Sequence, residues 1–142
     1  MIIPDVNVLI YAIDATSAKH EVSRSWWDET LSSDARVGLC LPVITGFVRL
    51  TTHRRVFAKP LPVALAIERV NQWLEQPFAD LLTPSPRHWE IMQELILALQ
   101  AAANLTTDCD IAAYAIAYNA DVATNDGDFQ RIPGVRCFDP TG

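Results

Sequence analysis

The amino-acid sequence predicts an α/β fold, in which a parallel sheet of about five strands carries helices on both faces. Short apolar runs alternate along the chain with longer segments whose apolar residues recur at helical spacing. The 142 residues contain no repeat and no Gly/Ser linker, so we predict a single domain over residues 1–142. Acidic residues follow several of the predicted strands, which is where ligands bind in sheets of this kind.

The first half of the chain is predicted to hold two strands and three helices. A short apolar run ends at Asp5, after which apolar residues resume at helix-compatible spacing. Pro42 stops the second strand and suits the first turn of the helix that follows it. The predicted elements are a strand before residue 5, helices over 6–14 and 20–31, a strand over 37–41 and a helix over 43–52.

The second half is predicted to hold three helices and three strands. Pro60 and Pro62 bracket a break before the first of these helices, and Pro77 ends it. The last helix is rich in alanine, and small side chains let a helix lie close to a sheet. The predicted elements are helices over 63–75, 89–103 and 106–118, and strands over 79–82, 120–124 and 136–138.

The composition indicates a globular protein without a membrane-spanning segment. No apolar run reaches the roughly 18–20 residues that are needed to cross a bilayer. The N-terminus lacks the basic region of a signal peptide. The three cysteines form no CxxC pair, which argues against a disulfide framework or a zinc knuckle. We therefore expect a cytoplasmic protein with reduced thiols and no membrane partner.

The net charge of −6 at pH 7 has the wrong sign for a general nucleic-acid coat protein. Such proteins bind by neutralising phosphates with lysine and arginine. The charge does not exclude a nuclease, because carboxylates that hold divalent cations are much less negative once the cations are bound. An acidic protein can also have a basic partner.

Four aspartates fall at junctions between predicted elements. Asp5 ends the first strand, Asp108 opens the alanine-rich helix, and Asp126 and Asp128 follow the fourth strand. Because strand C-termini and helix N-termini share one edge of a parallel sheet, these carboxylates are expected to converge there. Converging carboxylates repel one another unless a cation or a proton intervenes. Oxygen ligands favour Mg²⁺ or Mn²⁺ over zinc, and such ions activate water for attack on phosphodiesters.

Each aspartate also has a simpler structural interpretation. Asp5 suits the N-cap of the next helix, where aspartate stabilises by about 1 kcal/mol. Asp108 suits the positive end of a helix dipole, and the sequence around Asp126 and Asp128 is typical of a turn. Aspartates that only form turns should be scattered over both ends of the sheet. These aspartates are all predicted at the same end, where the strands finish and the helices begin, and this favours a common metal site.

Three motifs in combination resemble those of PIN domains. The first strand is followed by D-x-N-x-L from Asp5, an acid opens an alanine-rich helix at Asp108, and T-N-D-x-D-F from Thr124 is followed by P-G-x-R. More narrowly, the motifs and the length resemble the VapC-type toxins of bacterial toxin–antitoxin pairs, of the group abundant in mycobacteria. The resemblance spans nearly the whole chain.

The resemblance implies an α/β/α sandwich with a mostly parallel central sheet. It also implies an endoribonuclease toxin that cleaves structured RNA (tRNA or rRNA) and thereby inhibits translation. The implied cofactor is Mg²⁺, for which Mn²⁺ can substitute. The implied assembly is a homodimer that a VapB-type antitoxin neutralises. Catalytic and metal-ligand roles fall on Asp5, Asp108 and Asp126, with Asp128 as a frequent fourth acid. Asn7 and Thr124 match polar residues that support the acids or a bound water.

One position departs from the family pattern. PIN domains usually carry a glutamate at the start of the helix after the second strand, and Gly46 stands there. Either the site works with the remaining acids or Asp110 compensates, although residues two apart on a helix do not share a face. The alternative function is a catalytically impaired PIN-like protein that binds RNA or antitoxin without cleavage.

A basic segment lies in and after the third predicted helix. Arg49, Arg54 and Arg55 are candidates for contact with RNA phosphates, and Arg49 matches the basic position of the family. The alternative is that these residues are solvated cations near a helix C-terminus. His20 and His88 open predicted helices and are expected to be structural residues that lie away from the acids.

The four tryptophans lie on apolar stripes at helical spacing. We expect them in the core or in an interface rather than as base-stacking platforms. A groove for an antitoxin helix is expected on the apolar faces of segments 20–31 and 42–52, unless those faces are simply core. The tryptophans are Trp26, Trp27, Trp73 and Trp89.

Overall fold

The computed structural model describes residues 1–100 and 102–142. Five strands form one sheet in this part of the chain, as predicted: β1 (Ile2–Pro4), β2 (Val37–Leu39), β3 (Ala79–Leu81), β4 (Asp121–Ala123) and β5 (Arg136–Phe138). Their order across the sheet is β3-β2-β1-β4-β5, and every neighbouring pair is parallel. The first strand of the chain therefore lies in the centre of the sheet.

Within the described residues, six α-helices flank the sheet and complete the three-layer α/β/α sandwich, which confirms the predicted fold class. They are α1 (Val6–Ile13), α2 (His20–Ser32), α3 (Leu41–Thr51), α4 (Val63–Leu74), α5 (His88–Leu99) and α6 (Ala102–Tyr118). A short 3₁₀ helix (Gly127–Arg131) follows β4, at a place where only a turn is predicted. None of the described helices is both long enough and apolar enough to cross a membrane.

The boundary between α5 and α6 differs from the prediction. Helix α5 ends early because Gln100 adopts a left-handed backbone conformation (φ 50°), which commonly ends helices. Helix α6 begins at Ala102, although the backbone at Ala103 is not helical. Asp108 therefore lies inside α6, and the prediction that it opens this helix is wrong. Residue 101, at the end of the predicted helix over 89–103, lies outside the described residues.

The two central strands bring their C-terminal ends together. Residues of β1 and β4 pair in register up to Pro4 opposite Ala123. The next residue, Asp5, continues the ladder, since its backbone N–H donates to the carbonyl of Ala123 at 2.8 Å. Asp5 and Thr124 are consequently neighbours at the C-terminal edge of the sheet, although they are 119 positions apart in the sequence.

Aromatic side chains form a large part of the core between the sheet and helices α2, α3 and α4. Trp73 makes edge contacts with Trp27 and Phe47, at centroid distances of 5.6 Å and 4.9 Å. All three are buried, and Trp26 is half-buried against Trp27. Trp89, by contrast, is 63% exposed and lies outside the core. Apolar spacing alone could not separate it from the buried tryptophans.

Candidate functional site

Three carboxylates meet at the C-terminal edge of the sheet. Asp108, Asp126 and Asp128 each place one oxygen within 4.8 Å of the oxygens of the other two. Asp108 comes from the second turn of α6, whereas the other two come from the segment after β4. All three are partly exposed, so the acid group, as we call these three residues, is open to solvent on one side.

The segment after β4 is held by its own side-chain hydrogen bonds. Asp126 caps the 3₁₀ helix, because its Oδ1 accepts from the backbone N–H of Asp128 at 2.9 Å. The backbone N–H of Asp126 in turn donates to Thr124 Oγ1 at 2.9 Å. Capping of the 3₁₀ helix thus explains why the sequence of this segment is typical of a turn. Asp126 Oδ2 and both carboxylate oxygens of Asp128 take no part in these capping hydrogen bonds.

Asp5 performs the capping role and also lies beside the acid group. Its Oδ1 accepts from the backbone N–H of Val6 at 2.7 Å, and its Oδ2 accepts from Thr124 Oγ1 at 2.8 Å. The residue is only 4% exposed, and burial raises the pKa of its carboxyl against the opposing effect of both hydrogen bonds. Among the described residues, Asp5 is not one of the three acids that approach within 4.8 Å.

The hydroxyl of Thr124 connects the acids to one another. It donates to Asp5 and accepts from the backbone N–H of Asp126 and, at 3.4 Å, from Asn7 Nδ2. Asn7 Oδ1 also accepts from the backbone N–H of Asn125 at 3.3 Å. A hydroxyl has one donor and two acceptor positions, and all three are used here. Thr124 therefore contacts Asp5 directly, whereas Asn7 contacts Thr124 and the backbone of Asn125; the supporting role of both residues stays a prediction.

The acids strongly affect the protonation of Asp108. Burial is the largest cause, and the negative charges of Asp5, Asp126 and Asp128 add to it, so the pKa of this carboxyl rises from its usual 3.8 to about 7. An acid with this pKa holds a proton for part of the time at neutral pH. A divalent cation at the acid group would replace that proton and relieve the repulsion between the carboxylates.

This raised pKa predicts how stability depends on pH in the absence of divalent cations. Folded Asp108 keeps a proton between about pH 4 and pH 7, where the unfolded residue has lost it. Its stabilising contribution is therefore complete below about pH 4 and is lost as the pH rises through 7. We expect the Tm in EDTA to fall between pH 5.5 and pH 8, and Asp108→Asn to flatten that fall. Scanning fluorimetry measures both, with the exposed Asp34→Asn as the control, and equal slopes for all three proteins would contradict the prediction.

Asp110 lies apart from the acid group. Its Oδ1 pairs with His88 Nε2 at 2.7 Å, and the imidazole ring packs on Tyr114 at a centroid distance of 4.4 Å. His88 therefore pairs with Asp110, two residues from Asp108 along α6, and not with a member of the acid group. The other predicted structural histidine, His20, uses Nδ1 to contact the carbonyl of Tyr11 at 2.8 Å.

Gly46 is buried in α3 against the first turn of α1. A Cβ atom at this position would lie 3.4 Å from Cγ2 of Val6, the residue next to Asp5. The position at which PIN domains usually carry glutamate thus lies against Val6, the residue that follows Asp5. There is room for a Cβ atom, but the chain supplies no side chain there.

The predicted basic residues do not reach the acids. Arg49 is exposed on α3, and Arg54 and Arg55 are exposed beyond its end. Within residues 1–100 and 102–142, none of the three has a carboxylate oxygen within 4.0 Å. A cation that was not predicted, Arg131, lies 3.8 Å from Asp128 Oδ1. The sequence signal for this contact is the spacing of three residues between Asp128 and Arg131. That spacing indicates that the two side chains are close only if the segment is expected to be a helix and not a turn.

Known proteins resemble this chain over nearly its whole length. The family model of the PIN domain matches residues 2–135. Over 140 residues the chain is 44% identical to ribonuclease VapC33 and 40% identical to ribonuclease VapC37, both from Mycobacterium tuberculosis. These alignments cover 99% of this chain and 98% and 97% of the two relatives.

Solved structures show the same fold at lower sequence identity. VapBC2 from Rickettsia felis, bound to a DNA fragment from its promoter, gives a TM-score of 0.72 at 19% identity over 98% of both chains. Mycobacterium tuberculosis VapC20, a sarcin-ricin loop cleaving toxin, gives 0.70 at 16% identity over 96% of this chain and 99% of its own. Together with the family-model match and the two ribonuclease relatives, the motifs, the sandwich and the clustered aspartates show that this chain belongs to the PIN domain family, in its VapC branch.

Proposed function

We propose that the chain is a metal-dependent endoribonuclease toxin that cleaves structured RNA and is neutralised by a VapB-type antitoxin. The observation that carries the proposal is the acid group, which stands at the C-terminal edge of the sheet in a chain 44% identical to a VapC ribonuclease. The cytoplasm is the expected compartment, because an RNA target and an antitoxin would both be found there.

The donor set of the acid group fits a hard divalent cation. It offers three carboxylate oxygens and contains neither histidine nor cysteine. Mg²⁺ and Mn²⁺ prefer oxygen ligands, whereas zinc prefers nitrogen and sulfur. The partial exposure of the three side chains leaves room for water and for an RNA phosphate beside the cation. We therefore assign Mg²⁺ as the cofactor, with Mn²⁺ as a substitute.

The side chains of the site have separate tasks in this mechanism. Asp108, Asp126 and Asp128 would hold a divalent cation, and Asp108 would bind it in its deprotonated form. Asp5 adds negative charge from its buried position, while Thr124 fixes it relative to Asp126. A bound divalent cation supplies the activation of a water molecule and the stabilisation of the leaving oxygen. No side chain of the protein is needed as a nucleophile.

The test is RNA cleavage by the purified chain and in cells that express it. Sequencing of RNA 5′ ends should show one dominant cut site that disappears with Asp126→Asn, and EDTA should stop the purified reaction. Asp126→Asn is a better probe than Asp5→Ala, because Asp5→Ala also removes a helix cap and leaves the Thr124 hydroxyl without its acceptor. Cleavage that persists in EDTA would refute the metal-dependent mechanism.

The absence of an acid at Gly46 favours a second candidate function. A site with one carboxylate fewer than usual attracts cations less strongly, and a chain that binds RNA or antitoxin without cutting would follow from that loss. Titration with Mg²⁺ or Mn²⁺ in a calorimeter separates the two functions. Heat of binding at millimolar metal favours the nuclease, whereas no binding with or without RNA favours the non-catalytic protein.

Of the two faces expected to bind the antitoxin, the one on α3 lines an open groove. Trp27 is buried, so the tryptophan-bearing face of α2 is core in its central part. The open apolar groove lies between α3 and α4 and has a volume of about 200 Å³. Its lining includes Leu41, Ile44, Val48, Ile67, Leu74 and Leu81. We propose that an amphipathic segment of the antitoxin packs its apolar face there.

Charge placed in this groove should weaken antitoxin binding. Ile67 is 48% exposed, so Ile67→Asp should leave the fold intact and weaken binding of the cognate antitoxin by at least about tenfold, the effect of 1.4 kcal/mol. Val22→Asp on α2 is the matched control, since Val22 is 42% exposed. Calorimetric titration of both variants with the antitoxin decides between the α3–α4 groove and the exposed face of α2. If only Val22→Asp weakened antitoxin binding, the antitoxin would bind on α2. The proposed homodimer is checked on the same samples by analytical ultracentrifugation.

A further inference from the structure

Arg131 stands directly beside the acid group. It ends the 3₁₀ helix, and Asp128 is three residues before it. A 3₁₀ helix has three residues per turn, so side chains at this spacing lie one above the other. The guanidinium Nη1 is 3.8 Å from Asp128 Oδ1. Asp128 in turn belongs to the group whose oxygens lie within 4.8 Å of one another.

No other cation in the described part of the chain comes this close to the catalytic acids. Among those residues, only Arg131 has a nitrogen within 4.0 Å of a carboxylate oxygen of Asp5, Asp108, Asp126 or Asp128. Other arginines form ion pairs elsewhere: Arg24 with Asp28, Arg36 with Asp80, Arg87 with Glu90 and Arg136 with Asp121. The position of Arg131 is therefore specific to the site.

The contact between Arg131 and Asp128 is too weak to hold the guanidinium in place. A separation of 3.8 Å is longer than a hydrogen bond, and the two side chains are 57% and 49% exposed. Ion pairs of this kind contribute about 0–1 kcal/mol. The backbone beneath is firmly held, because Phe129 and Ile132 are buried in the core. The ion pair therefore does not fix the Arg131 guanidinium, whereas the backbone that carries it is anchored by two buried side chains.

A cation bound at Asp128 would compete with this contact. The guanidinium of Arg131, whose side chain is 57% exposed, would then be released to bind another anion beside the acid group. The planar fork of arginine matches two oxygens of a phosphate, and the group stays protonated at all relevant pH values. Binding there transfers no proton and stabilises the negative charge that grows on the phosphate during cleavage.

We propose that Arg131 is a catalytic residue that binds the non-bridging oxygens of the scissile RNA phosphate. The inference rests on the proposed endoribonuclease function and adds a residue to its site. The competing role is that of a counter-ion, in which Arg131 only reduces repulsion among the acids. The two roles give opposite results once the site is saturated with metal, because a counter-ion is then no longer required.

The experiment compares Arg131→Gln, Arg131→Lys and the control Arg24→Gln, which removes a cation from α2. Calorimetry measures Mn²⁺ affinity, and the probe for cleavage is total bacterial RNA, with single-turnover rates at the dominant cut site under saturating Mn²⁺. For Arg131→Gln we expect Mn²⁺ affinity equal to or above that of the parent, and a rate lower by about 100- to 1000-fold, the effect of removing one donor to a developing charge. Arg131→Lys should fall between, and Arg24→Gln should match the parent.

The two proposals fail in different ways. If the parent cuts RNA and Arg131→Gln cuts it equally fast or faster at saturating Mn²⁺, Arg131 is a counter-ion and this inference is overturned. If Arg131→Gln is slow only because its Mn²⁺ affinity has fallen, and more Mn²⁺ restores the rate, the inference is also overturned. If the parent cuts no RNA, the endoribonuclease proposal fails, and the role of Arg131 fails with it.

Discussion

Asp126→Asn is expected to lower the rate of RNA cleavage by well over 100-fold while leaving the protein folded. The loss should exceed the roughly 10- to 100-fold that follows removal of a residue merely supporting a metal site. Asparagine keeps the oxygen that caps the 3₁₀ helix and is as good a cap as aspartate. It removes the negative charge that attracts the cation. Single-turnover cleavage at several Mn²⁺ concentrations, together with the Tm, measures both effects.

The control for this variant is Asp34→Asn. Asp34 is exposed before β2, at the opposite edge of the sheet, and its substitution changes the net charge by the same amount. It should cleave like the parent. Parental rates for Asp126→Asn would remove Asp126 from the mechanism, and a large fall in Tm would show that the cap, rather than the charge, had been disturbed.

Phe47→Ala is expected to be the most destabilising single change in the α3–α4 region. Phe47 is fully buried and lies 4.9 Å from Trp73 between ring centroids. Truncation of a buried phenylalanine costs about 3–5 kcal/mol, because the cavity closes only in part. Since small domains unfold with about 5–15 kcal/mol in total, the variant should lose a large part of its stability. Urea denaturation should show a lower midpoint with an unchanged m-value.

Phe78→Ala supplies the comparison, since Phe78 is exposed just before β3. The free energy of unfolding of this variant should stay within about 0.5 kcal/mol of the parent. If both variants lost the same stability, burial would not be the cause. A changed m-value for Phe47→Ala would indicate an altered denatured or native state and not a simple cavity.

The sequence was sufficient for the architecture and for the convergence of Asp108, Asp126 and Asp128 at one edge of the sheet. Apolar runs that end at Asp5 and before Thr124 identify the two strands whose ends meet, since parallel strands present their C-termini at one edge. The five strands and the α/β/α layers follow from the alternation of elements. The single-domain organisation and the ligand roles of the four aspartates stay predictions, and the experiments above address the latter.

Other features depend on tertiary contacts that periodicity does not contain. Trp27 and Trp89 both lie on apolar stripes, but Trp27 is buried against Trp73 of α4, whereas Trp89 is exposed. The start of α6 depends on a backbone irregularity at Ala103, so the position of Asp108 within the helix could not be derived from spacing. Arg131 was missed because a five-residue 3₁₀ helix is too short to produce a periodic signal.

The bonding of the Thr124 hydroxyl has a consequence for the thermodynamics of metal loading. With its single proton committed to Asp5 and both acceptor positions occupied, this hydroxyl has no alternative rotamer that satisfies the same partners. The frame around the acids is therefore preorganised when the chain folds, and the repulsion between them is already included in the stability of the metal-free protein. Cation binding should then relieve this repulsion with little rearrangement of the backbone. The equilibria of folding and of cation binding are therefore linked through the carboxylates of Asp5, Asp108, Asp126 and Asp128.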